Sequence, residues 1–348
     1  MKDAGRLHEL DALRFVAALA VVLYHLTYTN TAQTSFPEID AVTRFGYMGV
    51  DLFFIISGFV ILWSAQGRSP VAFVIARFSR LYPIFWVALL TTSAVVWHDG
   101  VITIRQILLN ATMVPSYFGA GFIDGAYWTL QIELNFYFLI FILLVFGQIN
   151  NAEKWAYGWL VVIALTLVTH KIPASLTVYP YGSYFAGGMI LFAIWRSGLT
   201  WTRGVALGGS LLLSLHQAVI QADEFIYHMT ANRWVPVAVI AISYLVLLGI
   251  ATRRITIGAA RWCTAVGAST YPLYLLHHHI GNEIFGALTL DRWLALAITL
   301  VAIAAMTVVA TGIDRRLHRF TSQRLTAWSI RLRLQPAKDH DPSGQRVK

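Results

Sequence analysis

The sequence is poor in cysteine and in charged residues. Its 348 residues include one cysteine, Cys263, so an intramolecular disulfide is excluded and we expect a reduced thiol. Charged residues make up 12%, whereas ordinary soluble domains have about 25%. Hydrophobic residues make up 57%, and a soluble chain of this length could not cover so much apolar surface. The scarcity of charge therefore excludes an ordinary soluble protein.

Apolar runs long enough to cross a bilayer recur along the chain. A hydrocarbon layer of about 30 Å requires about 20 mostly apolar residues in a helix. By this criterion we predict an all-α fold, a polytopic membrane bundle of about ten transmembrane helices. The predicted spans are Leu10–Tyr28, Tyr47–Ala65, Leu81–Trp97, Tyr127–Gly147, Trp155–Thr169, Ser183–Trp195, Val205–Ile220, Trp234–Ala251, Thr264–Phe285 and Trp293–Ile313.

The distribution of lysine and arginine predicts the orientation of these helices. Of 26 basic residues, Arg14 lies inside the first span, 20 fall on the side of the chain termini and five fall on the other side. By the positive-inside rule, both termini are cytoplasmic in a multi-pass protein of the cell (inner) membrane. The net charge of +9 then indicates anionic membrane lipid as a partner and no nucleic acid, because no nucleic-acid motif accompanies these cations.

The C-terminal end differs in composition from the rest. Residues 1–313 are predicted to form the transmembrane domain. In residues 314–334, apolar side chains recur at near-helical spacing among six arginines, which predicts a basic amphipathic helix on the cytoplasmic leaflet. The polar, proline-containing residues 335–348 are predicted to be a disordered cytoplasmic tail.

Two ionisable residues stand inside the first apolar segment. Arg14 and His25 are eleven positions apart, which on an α-helix returns to nearly the same face and climbs about 16 Å. The helix thus carries a fixed cation near one membrane surface and a titratable base near the other. Because ionisable groups are costly to bury in lipid, both residues are functional-site candidates. A hydrogen-bonded core histidine is the alternative for His25.

Further polar residues converge in depth on the outer half of the membrane. Asp51 lies about one turn below the predicted outer surface, near the level of His25. Glu133 enters with the fourth span from the same side, and either carboxylate could instead pair with Arg14 or with backbone groups. Aromatic and histidine side chains at this depth are substrate-binding candidates, with an ordinary interfacial belt as the alternative. These candidates are Trp128, Tyr137, Tyr274 and His277.

The run His277, His278 and His279 raises the question of a metal site. Adjacent residues on one helix point in different directions, and no spaced carboxylate pair completes a ligand set. We therefore predict no metal.

Two arginines mark the cytoplasmic side of the third span. Arg77 and Arg80 are three positions apart on one helical face, and Pro83 follows them. Guanidinium groups suit the phosphates of a nucleotide-like ligand. The alternative is ordinary positive-inside anchoring, which we prefer for the other cytoplasmic arginines.

Five motifs, read in order, resemble those of the acyltransferase-3 family of integral membrane acyltransferases. They are the pair Arg14 and His25, then GVDLFFIISGF, RFSRLYP, YWTLQIELNFY and STYPLYLLH. The similarity runs from about Leu7 to Asp314, nearly the whole chain. The chain departs from the family pattern at Thr129, where serine is more common, and at Pro272, which interrupts the last motif.

This resemblance implies an enzyme that moves an acyl group, usually acetyl, from cytoplasmic acyl-CoA to a carbohydrate hydroxyl outside the inner membrane. Arg77, Arg80 and Arg14 would hold the anionic end of acyl-CoA, which is the donor substrate. His25 would act as the general base that takes the proton of the attacking hydroxyl. Asp51, ranked first on depth, or Glu133 would orient the imidazole, and Glu133 could instead bind the acceptor.

The acceptor and one competing class remain open at this stage. The predicted external stretch His98–Ala126 offers aromatic faces suited to sugar stacking, which fits an exopolysaccharide, a lipopolysaccharide, a lipid-linked glycan or a small glycosylated metabolite. A non-enzymatic transporter would also bury charges, but many transporters have paired inverted halves, and no corresponding segments stand out in this sequence.

Overall fold

The computed structural model describes residues 7–29, 36–97, 102–169, 178, 180–226, 233–258 and 261–332. Regular structure in these ranges is entirely helical, which confirms the predicted all-α class. The long helices are α1 (His8–Leu23, extended by the π-helical turn Tyr24–Thr29), α2 (Gly49–Ala65), α3 (Pro70–Val96), α4 (Trp128–Val145), α5 (Ala152–Thr169), α6 (Gly182–Ser197), α7 (Trp201–Phe225), α8 (Trp234–Ala251), α9 (Arg261–Leu276) and α10 (Arg292–Arg331). Shorter helices of the same ranges include Asp40–Thr43, Ile104–Asn110 and His279–Gly286.

Each predicted span overlaps one of these long helices. Eight helices of the described chain are long and apolar enough to cross a membrane, and the protein is a multi-pass helical membrane protein. The other two, α6 and α9, have 16 residues each. One predicted span is wrong as a single helix, because the segment Thr264–Phe285 breaks after Leu276 and a new helix begins at His279.

Helix α6 forms the centre of one half of the bundle. It packs against α2, α5, α7 and α8, and its residues from Gly182 to Ile194 are all buried. The approach to α2 is close because Gly58 and Gly188 face each other's helices. A Cβ atom on Gly188 would overlap the carbonyl oxygen of Ile55, and one on Gly58 would overlap that of Phe185. Small residues allow this backbone contact between membrane helices.

The other half of the bundle brings together the helices that carry the candidate site residues. Helix α1 packs on α2 and α9, helix α3 packs on α9 and α10, and α4 contacts both α2 and α3. Candidate residues far apart in the sequence therefore line common cavities.

The last helix is longer than a membrane requires. Helix α10 has 40 residues, about 60 Å at 1.5 Å per residue, against about 30 Å of hydrocarbon. The basic segment that starts at residue 314 continues this helix without a break as far as Arg331. Its position on the cytoplasmic leaflet stays a prediction, and residues 335–348 lie outside the described ranges.

Candidate active site

Three arginines line one cavity, which we call the lower cavity. Arg14 comes from α1, and Arg77 and Arg80 come from one face of α3. The cavity holds about 850 Å³ of empty space, including its open parts. Glu133 is the carboxylate residue among those that line it. The predicted grouping of the arginines is thus present, and the cavity carries an excess of positive charge.

Aromatic rings and one ion pair hold these arginines in place. The Arg77 guanidinium lies 5.9 Å from the ring centres of Phe73 and Tyr137, which is within cation–π range. Arg80 lies 5.9 Å from the ring centre of Tyr271, and its Nη1 donates to Asp314 Oδ2 at 2.6 Å. Ring stacking leaves the edges of a guanidinium available for hydrogen bonds to an anion.

Glu133 belongs to the lower cavity and does not hydrogen-bond to His25. Its Oε1 atom accepts from the Ser57 hydroxyl at 3.0 Å and from the Tyr137 hydroxyl at 2.7 Å. Tyr137, expected among the substrate-binding residues, therefore lies with the arginines. Glu133 thus lies near the positive charges and away from the imidazole of His25, whose orientation was one of the two roles expected for it.

A second, smaller cavity contains His25, and we call it the upper cavity. Its empty space is about 400 Å³, including its open parts. Val50 and Tyr274 line both cavities, so the two meet at these side chains. The Tyr274 hydroxyl is held at this junction by bonds to Ala126 O, at 3.0 Å, and to Thr129 Oγ1, at 2.8 Å.

His25 lies in the π-helical turn that ends α1. Such turns are frequent at functional sites because they widen the helix locally. Thr29 Oγ1 lies 3.5 Å from His25 Nδ1. The His25 ring centre is 4.2 Å from that of His278 and 5.2 Å from that of His277. The base candidate is therefore surrounded by imidazoles, which sequence analysis did not predict.

His278 connects this cluster to a buried carboxylate. Its Nδ1 lies 2.8 Å from Asp124 Oδ1, and the same carboxylate accepts from the backbone N–H groups of Ala126 and His279. Burial would raise the pKa of Asp124, but the hydrogen bond and charge of His278 and the Ala126 N–H outweigh it, so this pKa lies below its ordinary value. Asp124 stands in the α3–α4 connection, where no sequence motif marked it.

His277 is held in a fixed orientation behind His25. Its Nδ1 lies 2.8 Å from the carbonyl oxygen of Tyr274, which places the proton on Nδ1 and a lone pair on Nε2. That Nε2 is buried and has no hydrogen-bond partner in the described part of the chain. His277 is thus close to the reaction centre expected around His25, as predicted for a substrate-binding residue, although its role stays a prediction.

The break after α9 brings two of the histidines close to Asp124, in an arrangement that resembles a metal site. Asp124, His278 and His279 offer ligand atoms that all lie within 4.8 Å of one another. The assumption that the histidines sit on one continuous helix is wrong, because the helix ends at Leu276. The hydrogen bonds of Asp124 account for this cluster, and the absence of a metal stays a prediction.

Asp51 lies in the upper cavity together with His25, yet its partner is a different residue. Its side chain hydrogen-bonds to Gln221 of α7, and no bond joins it to His25 among the described contacts. Trp128 lines the same cavity, in agreement with its predicted place near a substrate. Gln221 and Tyr181 were missed, because neither belongs to a motif.

Buried ionisable groups that line two adjoining cavities of an apolar helical bundle are typical of multi-pass membrane proteins with a functional site between their helices. The chain belongs to the acyltransferase-3 family, since the family model for this acyltransferase domain matches residues 7–315.

Several relatives share this similarity over different lengths. Acyltransferase MdmB of Streptomyces mycarofaciens is 26% identical over 92% of this chain and 93% of its own length. BcsY of Komagataeibacter xylinus, named as a candidate membrane-bound transacylase, is 24% identical over 89% of this chain and 84% of its own length. The exopolysaccharide production protein ExoZ of Rhizobium meliloti (strain 1021) is 28% identical over 44% of this chain and 52% of its own length. No solved structure matches the chain.

Proposed function

We propose that this membrane acyltransferase uses cytoplasmic acyl-CoA, in the simplest case acetyl-CoA, to acylate a hydroxyl of an extracytoplasmic or lipid-linked carbohydrate. The observation that carries the proposal is the junction of the two cavities at Val50 and Tyr274. One cavity offers cations for an anionic donor, and the other offers a histidine for proton transfer. A thioester at the junction would meet both.

The lower cavity suits the donor. Acyl-CoA has phosphates at one end and a thioester at the other, joined by a long, thin arm. Arg77 and Arg80 would bind phosphates as bidentate forks, and Arg14 would contact the anionic end deeper in the cavity. Because Arg14 and His25 are about 16 Å apart along α1, the arm can reach from the arginines to the base while the nucleotide stays on the cytoplasmic side.

His25 would act as the general base. It accepts the proton of the acceptor hydroxyl as that oxygen attacks the thioester carbonyl carbon. The carbon–sulfur bond breaks, and the leaving thiolate takes the proton from the imidazolium, which gives an ester and CoA thiol. Asp124, linked through His278, supplies a negative charge near the imidazolium that forms.

The meeting of three helix ends supports ten crossings, and the excess of basic residues on the side of the chain termini supports a cytoplasmic location of both termini. His25 ends α1, Asp124 precedes α4 and His278 follows α9, and these three meet in space. Up-and-down threading from a cytoplasmic N-terminus places all three ends outside. Cysteines introduced at Ser116 and Leu199 in a Cys263→Ser background test this arrangement. A membrane-impermeant thiol reagent on intact cells should label the first and spare the second, and the reverse pattern would refute the topology.

A photo-reactive acetyl-CoA analogue tests the donor assignment. With the probe on the acyl end, we expect crosslinks at the outer end of α1 and the end of α9, competed by unlabelled CoA. With the probe on the nucleotide end, we expect crosslinks near Arg77. Radiolabelled acetyl-CoA with a bacterial envelope glycolipid fraction should then give labelled glycolipid. No CoA-competed crosslinking in well-folded protein would reject the proposal and would favour a transporter.

A further inference from the structure

The upper cavity contains two buried hydrogen-bond acceptors that lack partners. Asp51 is 2% exposed and Gln221 is 1% exposed. They bond to each other, yet Asp51 Oδ2 and Gln221 Oε1 have no partner in the described part of the chain. Because an unsatisfied buried acceptor is costly, a pair of them facing one cavity indicates a ligand that donates hydrogen bonds there.

Aromatic rings form the walls around this pair. Trp128 and Tyr181 have ring centres 5.2 Å apart, and Tyr47 and Phe225 stack at 5.1 Å with an interplanar angle of 21°. The planes of Trp128 and Phe225 differ by 19°. Near-parallel ring faces beside two acceptors suit a flat, neutral molecule with apolar faces and hydroxyl groups at its edge.

These features belong to the cavity of the base. His25, Asp51 and Gln221 line it together, while the three arginines line the lower cavity. A molecule bound between Asp51 and the rings would hold a further hydroxyl within reach of the imidazole.

We infer that Asp51 and Gln221, with Trp128 and Tyr181 as walls, form the acceptor subsite and bind a neutral sugar ring through two of its hydroxyls. The inference rests on the proposed function and makes it more specific. It assigns Asp51 to the acceptor rather than to the orientation of His25. The sugar donates one hydrogen bond to Asp51 Oδ2 and one to Gln221 Oε1, so two adjacent hydroxyls determine recognition.

The test measures binding and turnover separately in nanodisc-embedded protein. Radiolabelled octyl glucoside and octyl galactoside serve as neutral sugar probes, and acetyl-CoA affinity serves as the test of donor binding. Gln221→Met keeps the length of the side chain and removes both polar atoms. Gln217→Met is the matched control, because Gln217 is a buried glutamine one turn earlier on α7 and lies outside the lining of either cavity.

We expect saturable binding of at least one probe, weakened about ten-fold or more by Gln221→Met and by Asp51→Asn, with acetyl-CoA affinity unchanged. Gln217→Met should bind the probe as the wild type does. Trp128→Leu, at a half-buried wall position, gives a second variant in case Gln221→Met does not fold. No saturable binding of either probe, or equal binding by folded variants, would overturn the inference.

Turnover separates the two possible roles of Asp51. An acceptor-binding role predicts that Asp51→Asn raises the KM for the glycoside more than it lowers kcat. A role in orienting His25 predicts a lower kcat at unchanged KM, and that result would also overturn the inference. Failure of the proposed function shows differently, because the wild type would then bind no acetyl-CoA, whatever its affinity for the glycosides.

Discussion

The lower and upper cavities meet but are built from different chemistry. The lower cavity has three arginines, placed by stacked rings and by the bond from Arg80 to Asp314. The upper cavity has the imidazole of His25, aromatic walls and two acceptors without partners. Fixed positive charge recognises an anion strongly and from a distance, whereas hydrogen bonds recognise shape and position at contact. The difference suits one cavity to a polyanionic donor and the other to a neutral acceptor.

The comparison also explains why the site lies between helices. Each cavity takes its polar groups from several helices, and the close contact of α2 with α6 keeps Asp51 of α2 in a fixed position. Lower-cavity variants should therefore change donor affinity, whereas upper-cavity variants should change acceptor binding or the rate of transfer at unchanged donor affinity.

Replacing the base should have the largest effect. His25→Ala removes the proton acceptor, and we expect the rate of acyl transfer to fall at least about 100-fold, because general-base catalysis contributes about 10²–10⁴. Acetyl-CoA affinity, measured by calorimetry, should stay unchanged, since the donor cations lie in the other cavity. His216→Ala, on the exposed face of α7, is the control. A rate near that of wild type in a monodisperse variant would exclude His25 as the base.

Replacing both arginines of α3 should have the second largest effect. Arg77→Ala with Arg80→Ala should weaken acetyl-CoA binding about 10- to 100-fold, and lysine at both positions should restore it only in part, because a point charge cannot form the bidentate fork. The KM for the sugar should not change. Arg254→Ala, at an exposed position after α8, is the control. Wild-type affinity for acetyl-CoA in the double variant would show that these arginines do not bind the donor and serve only to orient the protein in the membrane.

Single substitutions of Arg77 and Arg80 distinguish donor binding from a contribution to stability. Arg80 bonds to Asp314 of α10, whereas Arg77 makes no ion pair with a carboxylate of the described ranges. Arg80→Ala should therefore lower thermal stability as well as CoA affinity, and Arg77→Ala should lower affinity alone. The melting temperature without ligand distinguishes the two.

Much of the fold and of the lower cavity could be predicted from the sequence. Apolar length locates the spans because the bilayer imposes it, and spacing along one helix places Arg77 beside Arg80 and Arg14 below His25. Both relations depend only on residues close together in the sequence. Depth along a helix, however, does not fix the face on which a residue lies, so Glu133 was grouped with Asp51 although it lines the lower cavity.

The upper cavity depends on contacts that the sequence does not contain. Asp124 meets His278 across 154 positions. Gln221 meets Asp51 only because α6 packs against both α2 and α7. The break after Leu276 was missed because the three histidines that follow it were counted within one apolar span, and the nearest proline, Pro272, lies inside α9 and not at its end. The positions of the upper-cavity residues therefore depend mostly on tertiary packing, which leaves no short-range signal in the sequence.

Removing the charge of Asp124 should have a moderate effect. Asp124→Asn keeps the shape but removes the negative charge near the imidazolium, so we expect kcat to fall about ten-fold with both KM values unchanged. Because the pKa of Asp124 is lowered, its contribution to stability is present at neutral pH and is lost only as the pH falls through that lowered pKa. Glu283→Gln, exposed at the same end of the bundle, is the control. A fall in CoA affinity instead would contradict the separation of the cavities.

Chelation should have the smallest effect. The carboxylate of Asp124 already accepts from His278 Nδ1 and from two backbone N–H groups, which a metal ion at this cluster would have to displace. We therefore expect treatment with a strong chelator to leave the transfer rate within about two-fold, whereas a metal-dependent enzyme would lose at least about ten-fold. Elemental analysis of the purified protein, before and after chelation, provides the independent measurement. A stoichiometric metal that leaves together with activity, and restores it when added back, would show that Asp124, His278 and His279 are ligands. The acceptor side of the enzyme would then contain a metal centre beside His25.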